Sequence, residues 1–87
     1  MKALILYKPI SETATSVEEY AQSFKQQTAR TLELIDIESK EGIALQELHD
    51  LVQYPVIIAI REDGSLVETW PNRDSWPTVS ELSFYAQ

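Results

Sequence analysis

The sequence predicts one α/β domain built on a four-stranded mixed sheet, with elements in the order β-α-β-α-β-β-α. Three observations lead there. Short apolar runs of strand length alternate with segments whose apolar residues recur at helical spacing. Asp63-Gly64 joins two of the runs as a hairpin. A length of 87 residues, 44% hydrophobic and 24% charged, suits one folded domain and leaves no room for a second core.

Taken in order, Ala3–Tyr7 (ALILY) reads as a buried strand, ended by Pro9, which donates no ladder hydrogen bond and biases Lys8 toward extended geometry. Ser16 and Glu19 have capping-box spacing, so a helix is expected from there, with Val17, Tyr20, Ala21, Phe24 and Thr28 on its inner face. Thr31–Ile37 (TLELIDI) is the second strand, and Glu38–Gly42 a turn with Ser39 as a cap. A second helix follows from Ile43, with Ala44, Leu45, Leu48, Leu51 and Val52 as its stripe and an end near Gln53, since Pro55 disfavours helical geometry at Tyr54.

Val56–Ile60 (VIIAI) is apolar throughout and therefore central. Asp63-Gly64 predicts a tight primed turn into a fourth strand, Ser65–Trp70, antiparallel to the third. After Pro71–Trp76, Pro77 and Thr78 open a last helix; Thr78 and Glu81 repeat the capping-box spacing, and Val79, Leu82, Tyr85 and Ala86 form its stripe. Two strands joined by a helix lie parallel. If the third strand pairs with the first, the spatial order is 2-1-3-4. A ferredoxin-like arrangement would need its hairpin after the first helix, and here it follows the second.

Composition excludes several chemistries. The chain has no cysteine, which removes disulfides, thiolate nucleophiles, zinc–thiolate sites and iron–sulfur clusters. Seven Lys plus Arg against fourteen Asp plus Glu give a net charge of −7, with the cations scattered among carboxylates, so no nucleic-acid partner is expected. No apolar run approaches the roughly 20 residues that span a bilayer, and the run after Lys2 is too short for a signal-peptide core. The expectation is a cytoplasmic protein with no membrane partner.

Other candidate groups are weak. His49, the sole histidine, is far along the chain from Ser11 and reads as a surface residue suited to a helix C-terminus. Asp36 and Glu38 fall short of the six oxygens a hard cation asks for, so no metal site is expected. The only glycines, Gly42 and Gly64, read as turns and form no phosphate loop. The hydroxyls of Ser11, Thr13, Thr15 and Ser16, with Lys8, could meet an anion at a helix start, but loop polarity explains them equally well. Tyr7, Tyr20, Phe24, Tyr54, Phe84 and Tyr85 are expected at the core or its edge. Trp70 and Trp76 bracket the Pro71–Ser75 loop, either packing on the last helix or framing a binding surface.

The element order, together with ELIDIESKEGIALQELHDLVQYPVIIAIREDGSLVETW, resembles the thioredoxin-like superfamily, and the opening LILYKP is similar to the first strand and following loop of glutaredoxins. The resemblance implies that Pro55 is a cis-proline, that the backbone before it pairs with an extended peptide or glutathione, and that redox cysteines belong just after Lys8-Pro9. Residues Ile10 to Ser16 stand there instead. Disulfide exchange needs a thiolate, and a serine hydroxyl does not replace it. The fold is thus separated from the family's chemistry. In glutaredoxin-like members the turn before the last helix meets the carboxylate end of glutathione; Asn72, Arg73, Asp74 and Ser75 hold that place without the usual glycines.

The expected function is a non-catalytic thioredoxin-like domain, without cofactor, that binds an extended peptide or protein partner in a groove formed by Lys8, Pro9, Ser11, Thr13, Tyr54, Pro55, Arg73 and Asp74. One alternative is a glutathione- or anion-binding relic held by Lys8, Tyr54 and Arg73. Another is a structural module that dimerises through Ser65–Trp70, where Glu68 blunts the edge. A monomer or weak dimer is expected.

Overall fold

Strand β1 (Lys2–Tyr7) leads through a polar loop to helix α1 (Ala14–Thr28), then to strand β2 (Glu33–Asp36) and helix α2 (Lys40–Leu48). Strands β3 (Val56–Ile60) and β4 (Leu66–Trp70) form a hairpin, and a single 3-10 turn at Arg73–Ser75 precedes the short helix α3 (Val79–Ser83). The structure, a computed structural model, describes residues 1–71 and 73–86.

The four strands lie in the order β2-β1-β3-β4. β1 and β2 are parallel, with Tyr7 opposite Asp36, while β3 runs antiparallel to both β1 and β4. Side chains of a strand alternate between faces, so the sheet carries two cores. Ala3, Ile5 and Ile57 meet Val17, Phe24, Leu32 and Leu82 on the face covered by α1 and α3. Leu4, Leu6, Ile35, Val56, Ile58 and Ile60 form the other, against Leu45 and Leu51 of the α2 region. β3 is buried at every position, as its uninterrupted apolar run predicts. Each fully buried side chain of this size contributes roughly 1.5–3 kcal/mol.

Several boundaries differ from the sequence reading. α1 starts at Ala14, not Ser16; Thr13 is its N-cap but makes no side-chain cap bond. Ser16 lies inside α1, and its hydroxyl accepts a hydrogen bond from Arg73. β2 is shorter than expected at both ends. It is an edge strand, and the Ser39 N–H and Oγ both donate to the Asp36 carbonyl, which turns the chain at once. Ser39 caps α2 by accepting from the Gly42 N–H, so Gly42 belongs to the helix rather than to a turn. It must be glycine there, since a Cβ would overlap the Asp36 carbonyl oxygen.

The hairpin is also not the two-residue primed turn. Gly64 N–H donates to the Arg61 carbonyl and Arg61 N–H to the Ser65 carbonyl, and of the turn residues only Gly64 has positive φ, at 89°. This is a three-residue loop with glycine in the left-handed position, stabilised by the Asp63 carboxylate accepting from the Ser65 N–H and hydroxyl. The capping box of α3 is present as expected, with Thr78 and Glu81 bonded reciprocally. Trp70 and Trp76 pack as core-edge residues: Trp76 Nε1 donates to the Trp70 carbonyl, and Trp70 meets Tyr85 edge-on.

Candidate functional site

The C-terminal ends of β1, β2 and β4 and the N-terminal end of β3 come to one edge of the sheet, as the pairs Tyr7–Asp36, Leu6–Val56 and Ile57–Trp70 require. The Tyr54–Pro55 peptide that opens β3 is cis. Pro55 itself is buried, while the three residues before it are exposed.

That exposure originates at the end of α2. His49 is the C-cap, Asp50 takes a left-handed conformation with φ 54°, and Leu51 N–H donates to the Gln46 carbonyl at 2.9 Å. This is a Schellman termination, which reverses the chain direction. Leu51 turns inward and packs on the α2-side core. Leu48 and Val52, expected on the buried stripe, instead face solvent, with Val52 83% exposed. Tyr54 is half exposed rather than at the core edge, and Phe84, the C-cap of α3, is likewise exposed.

Among the described residues, no hydrogen bond reaches the N–H groups of Val52, Gln53 or Tyr54. Val52, Gln53, Tyr54 and Pro55 form one wall of an open depression of about 470 Å³, and Pro71 and Arg73 form the other. Of the residues expected to form a groove, the structure brings Tyr54, Pro55 and Arg73 together here. Val52, Gln53 and Pro71 were missed. The signal for them was Asp50, a residue that tolerates the left-handed cap and so ends the helical stripe before Val52.

Lys8, Pro9, Ser11 and Thr13 form a turn of their own and are not lining residues of the depression. The Ser11 hydroxyl bonds the Lys8 carbonyl at 2.7 Å and lies 3.1 Å from the Thr13 hydroxyl. Asp74 lies exposed on the Arg73–Ser75 turn, and Asn72 falls outside the described residues.

Arg73 is tightly fixed. Its Nε donates to Ser16 Oγ at 2.9 Å, and its guanidinium carbon stands 4.7 Å from the Trp76 ring centre and 5.5 Å from that of Tyr20. Tyr20 and Trp76 meet edge-on at 5.1 Å, and the Tyr20 hydroxyl donates to the Pro77 carbonyl. Burial pushes the Tyr20 phenol up to about 12, opposed by Arg73 and aided by Glu81. Tyr7, at the end of β1, is also raised, first by burial and then by the carboxylates of Glu18 and Asp36. Both phenols therefore stay protonated to higher pH than an ordinary tyrosine.

Groups of three or more His, Asp or Glu able to hold a metal are absent among the described residues. Asp36 Oδ1 is occupied by the Glu38 N–H at 2.8 Å, a local turn rather than a cation cradle. No helix among the described residues is long and apolar enough to cross a membrane. Compared with models of protein families, with characterised proteins and with solved structures, the chain matches none.

Proposed function

We propose that the chain is a cysteine-free thioredoxin-like domain that binds an extended peptide along Val52–Tyr54. The single observation that carries the binding reading is this exposed segment, whose N–H groups have no partner among the described residues and which borders the depression closed by Pro71 and Arg73. Unpaired main-chain donors beside an open trough suit strand-like recognition: the ligand backbone supplies hydrogen bonds and the flanking side chains supply selectivity. Val52 and Tyr54 offer apolar contact to alternate side chains of such a ligand. The element order, the strand order 2-1-3-4 and the position of Pro55 at the head of β3 support the thioredoxin-like assignment.

The absence of any cysteine makes this a holding function without thiol exchange. The test is a titration of the isotope-labelled chain with extended peptides, read by amide shifts. Val52, Gln53 and Tyr54 are expected to move together while the Glu62–Gly64 loop at the opposite sheet edge stays fixed. Unmoved amides at Val52–Tyr54 across the peptide set would overturn the reading.

A further inference from the structure

We propose that helix α2 carries a self-association face, on which a second copy of the chain packs antiparallel about a two-fold axis between Ile43 and Ala44. The inference is independent of peptide docking at Val52–Tyr54.

α2 is apolar on two sides. Its inner side is committed to the sheet, where Gly42 is buried and Leu45 packs on the core. Its outer side presents Ile43, 47% exposed, Leu48, 70% exposed, and Ala44, also exposed. The helix cannot turn to bury them, because Gly42 is seated against the Asp36 carbonyl and Gln46 Nε2 donates to the Ile37 carbonyl at 2.7 Å. Single exposed leucines are ordinary on a surface, but apolar side chains gathered on one face of a fixed helix suit a protein contact.

The charges on that face choose the occupant. Lys40 and Glu47 are both exposed and stand two turns apart. They lie within about 20° of one line along the helix and about 10 Å from each other along its axis. Neither side chain has an ion-pair or hydrogen-bond partner among the described residues. Ile43 falls on one side of this line, and Ala44 and Leu48 on the other; Glu41 is about 100° further round than Lys40. A second helix laid parallel would set lysine on lysine and glutamate on glutamate. Laid antiparallel, it sets each Lys40 opposite Glu47 of the other copy. A partner of one charge would match only one end of the face.

The apolar residues fit the same arrangement. Ala44 beside the axis permits close approach of the helices, and Ile43 packs across the axis on its counterpart. Leu48 reaches the aliphatic stem of Lys40 in the other copy. At about 13 Å long, α2 is too short to bury the roughly 1,200 Å² of a stable interface, so the dimer is weak.

The test is a hundredfold dilution series of the full labelled chain at low salt, read by amide shifts and sedimentation equilibrium. Ile43, Ala44, Glu47 and Leu48 amides are expected to move with concentration as a dimer forms, while Leu66–Trp70 stay fixed. Lys40→Glu and Glu47→Lys should each weaken association about tenfold, since either change turns two attractive contacts of the dimer into repulsive ones. Both changes in one chain should restore it. All of these positions are exposed, so the amide pattern elsewhere should show each variant folded. A monomer at every concentration overturns the proposal, as do shifts confined to Leu66–Trp70 or a double variant no better than the single ones.

Discussion

Arg73 Nε donates to the hydroxyl of Ser16 at 2.9 Å across 57 positions of sequence, joining the turn after β4 to the first turn of α1. The same guanidinium lies over Tyr20 and Trp76, so one side chain connects the hairpin, α1 and the approach to α3. Half-buried and flanked by aromatic faces, this bond is shielded from the screening that weakens surface contacts.

Arg73→Ala is therefore expected to lower stability by about 1–3 kcal/mol in urea unfolding, the sum of a charged hydrogen bond and ring contacts. Arg73→Lys keeps the charge but not the planar fork and should recover little of the loss. A double-mutant cycle with Ser16→Ala should return a coupling of about 1 kcal/mol; strict additivity would show the bond to be idle.

Gly42→Ala should be among the most damaging single-methyl additions to the chain. The new Cβ meets the Asp36 backbone carbonyl, which also accepts from the Ser39 N–H and hydroxyl and cannot withdraw without breaking those bonds. A loss of about 3 kcal/mol is expected, read as a lowered urea midpoint at unchanged m-value.

Ala29 presents the opposite case. It ends α1 in the left-handed conformation, φ 61°, with its N–H on the Lys25 carbonyl. Glycine accepts that conformation without the Cβ penalty, so Ala29→Gly should stabilise the protein by about 1 kcal/mol. A lower thermal midpoint for the variant would contradict this account.

Tyr20 contributes to the alkaline limb of stability. Its folded pKa, about 12, lies above the ordinary 10.0, so the folded state favours the protonated phenol. The contribution is complete below the unfolded value and is lost as pH rises from there through the folded one. Tyr20→Phe should flatten the fall in stability between those limits, measured by urea unfolding at stepped pH, at the cost of its bond to the Pro77 carbonyl.

How much of this was legible in the residues varies by element. The apolar run Val56–Ile60 read as a central strand and is one, and Thr78 with Glu81 marked a cap that the structure contains. Ser16 and Glu19 have the same spacing, yet α1 begins earlier, at Ala14, and the Ser16 hydroxyl meets a distant arginine, a contact no local window contains. Val52 was misplaced because helical periodicity runs on through Leu51 in the sequence while the left-handed Asp50 breaks it in space. The site followed the same pattern. Tyr54, Pro55 and Arg73 share the depression because strand register brings them there, whereas the turn at Lys8–Thr13 satisfies its own hydroxyls and stays apart.

The complete enclosure of β3 has a consequence for solubility. VIIAI carries no charge and no proline, the composition of segments that stack into cross-β fibrils when uncovered. In the folded chain both its edges are taken by β1 and β4, and Pro55 on one side and Arg61-Glu62-Asp63 on the other act as gatekeepers. Detachment of the β4 arm alone would open a sticky edge, so the β3–β4 hairpin protects the protein from self-association as well as completing its sheet.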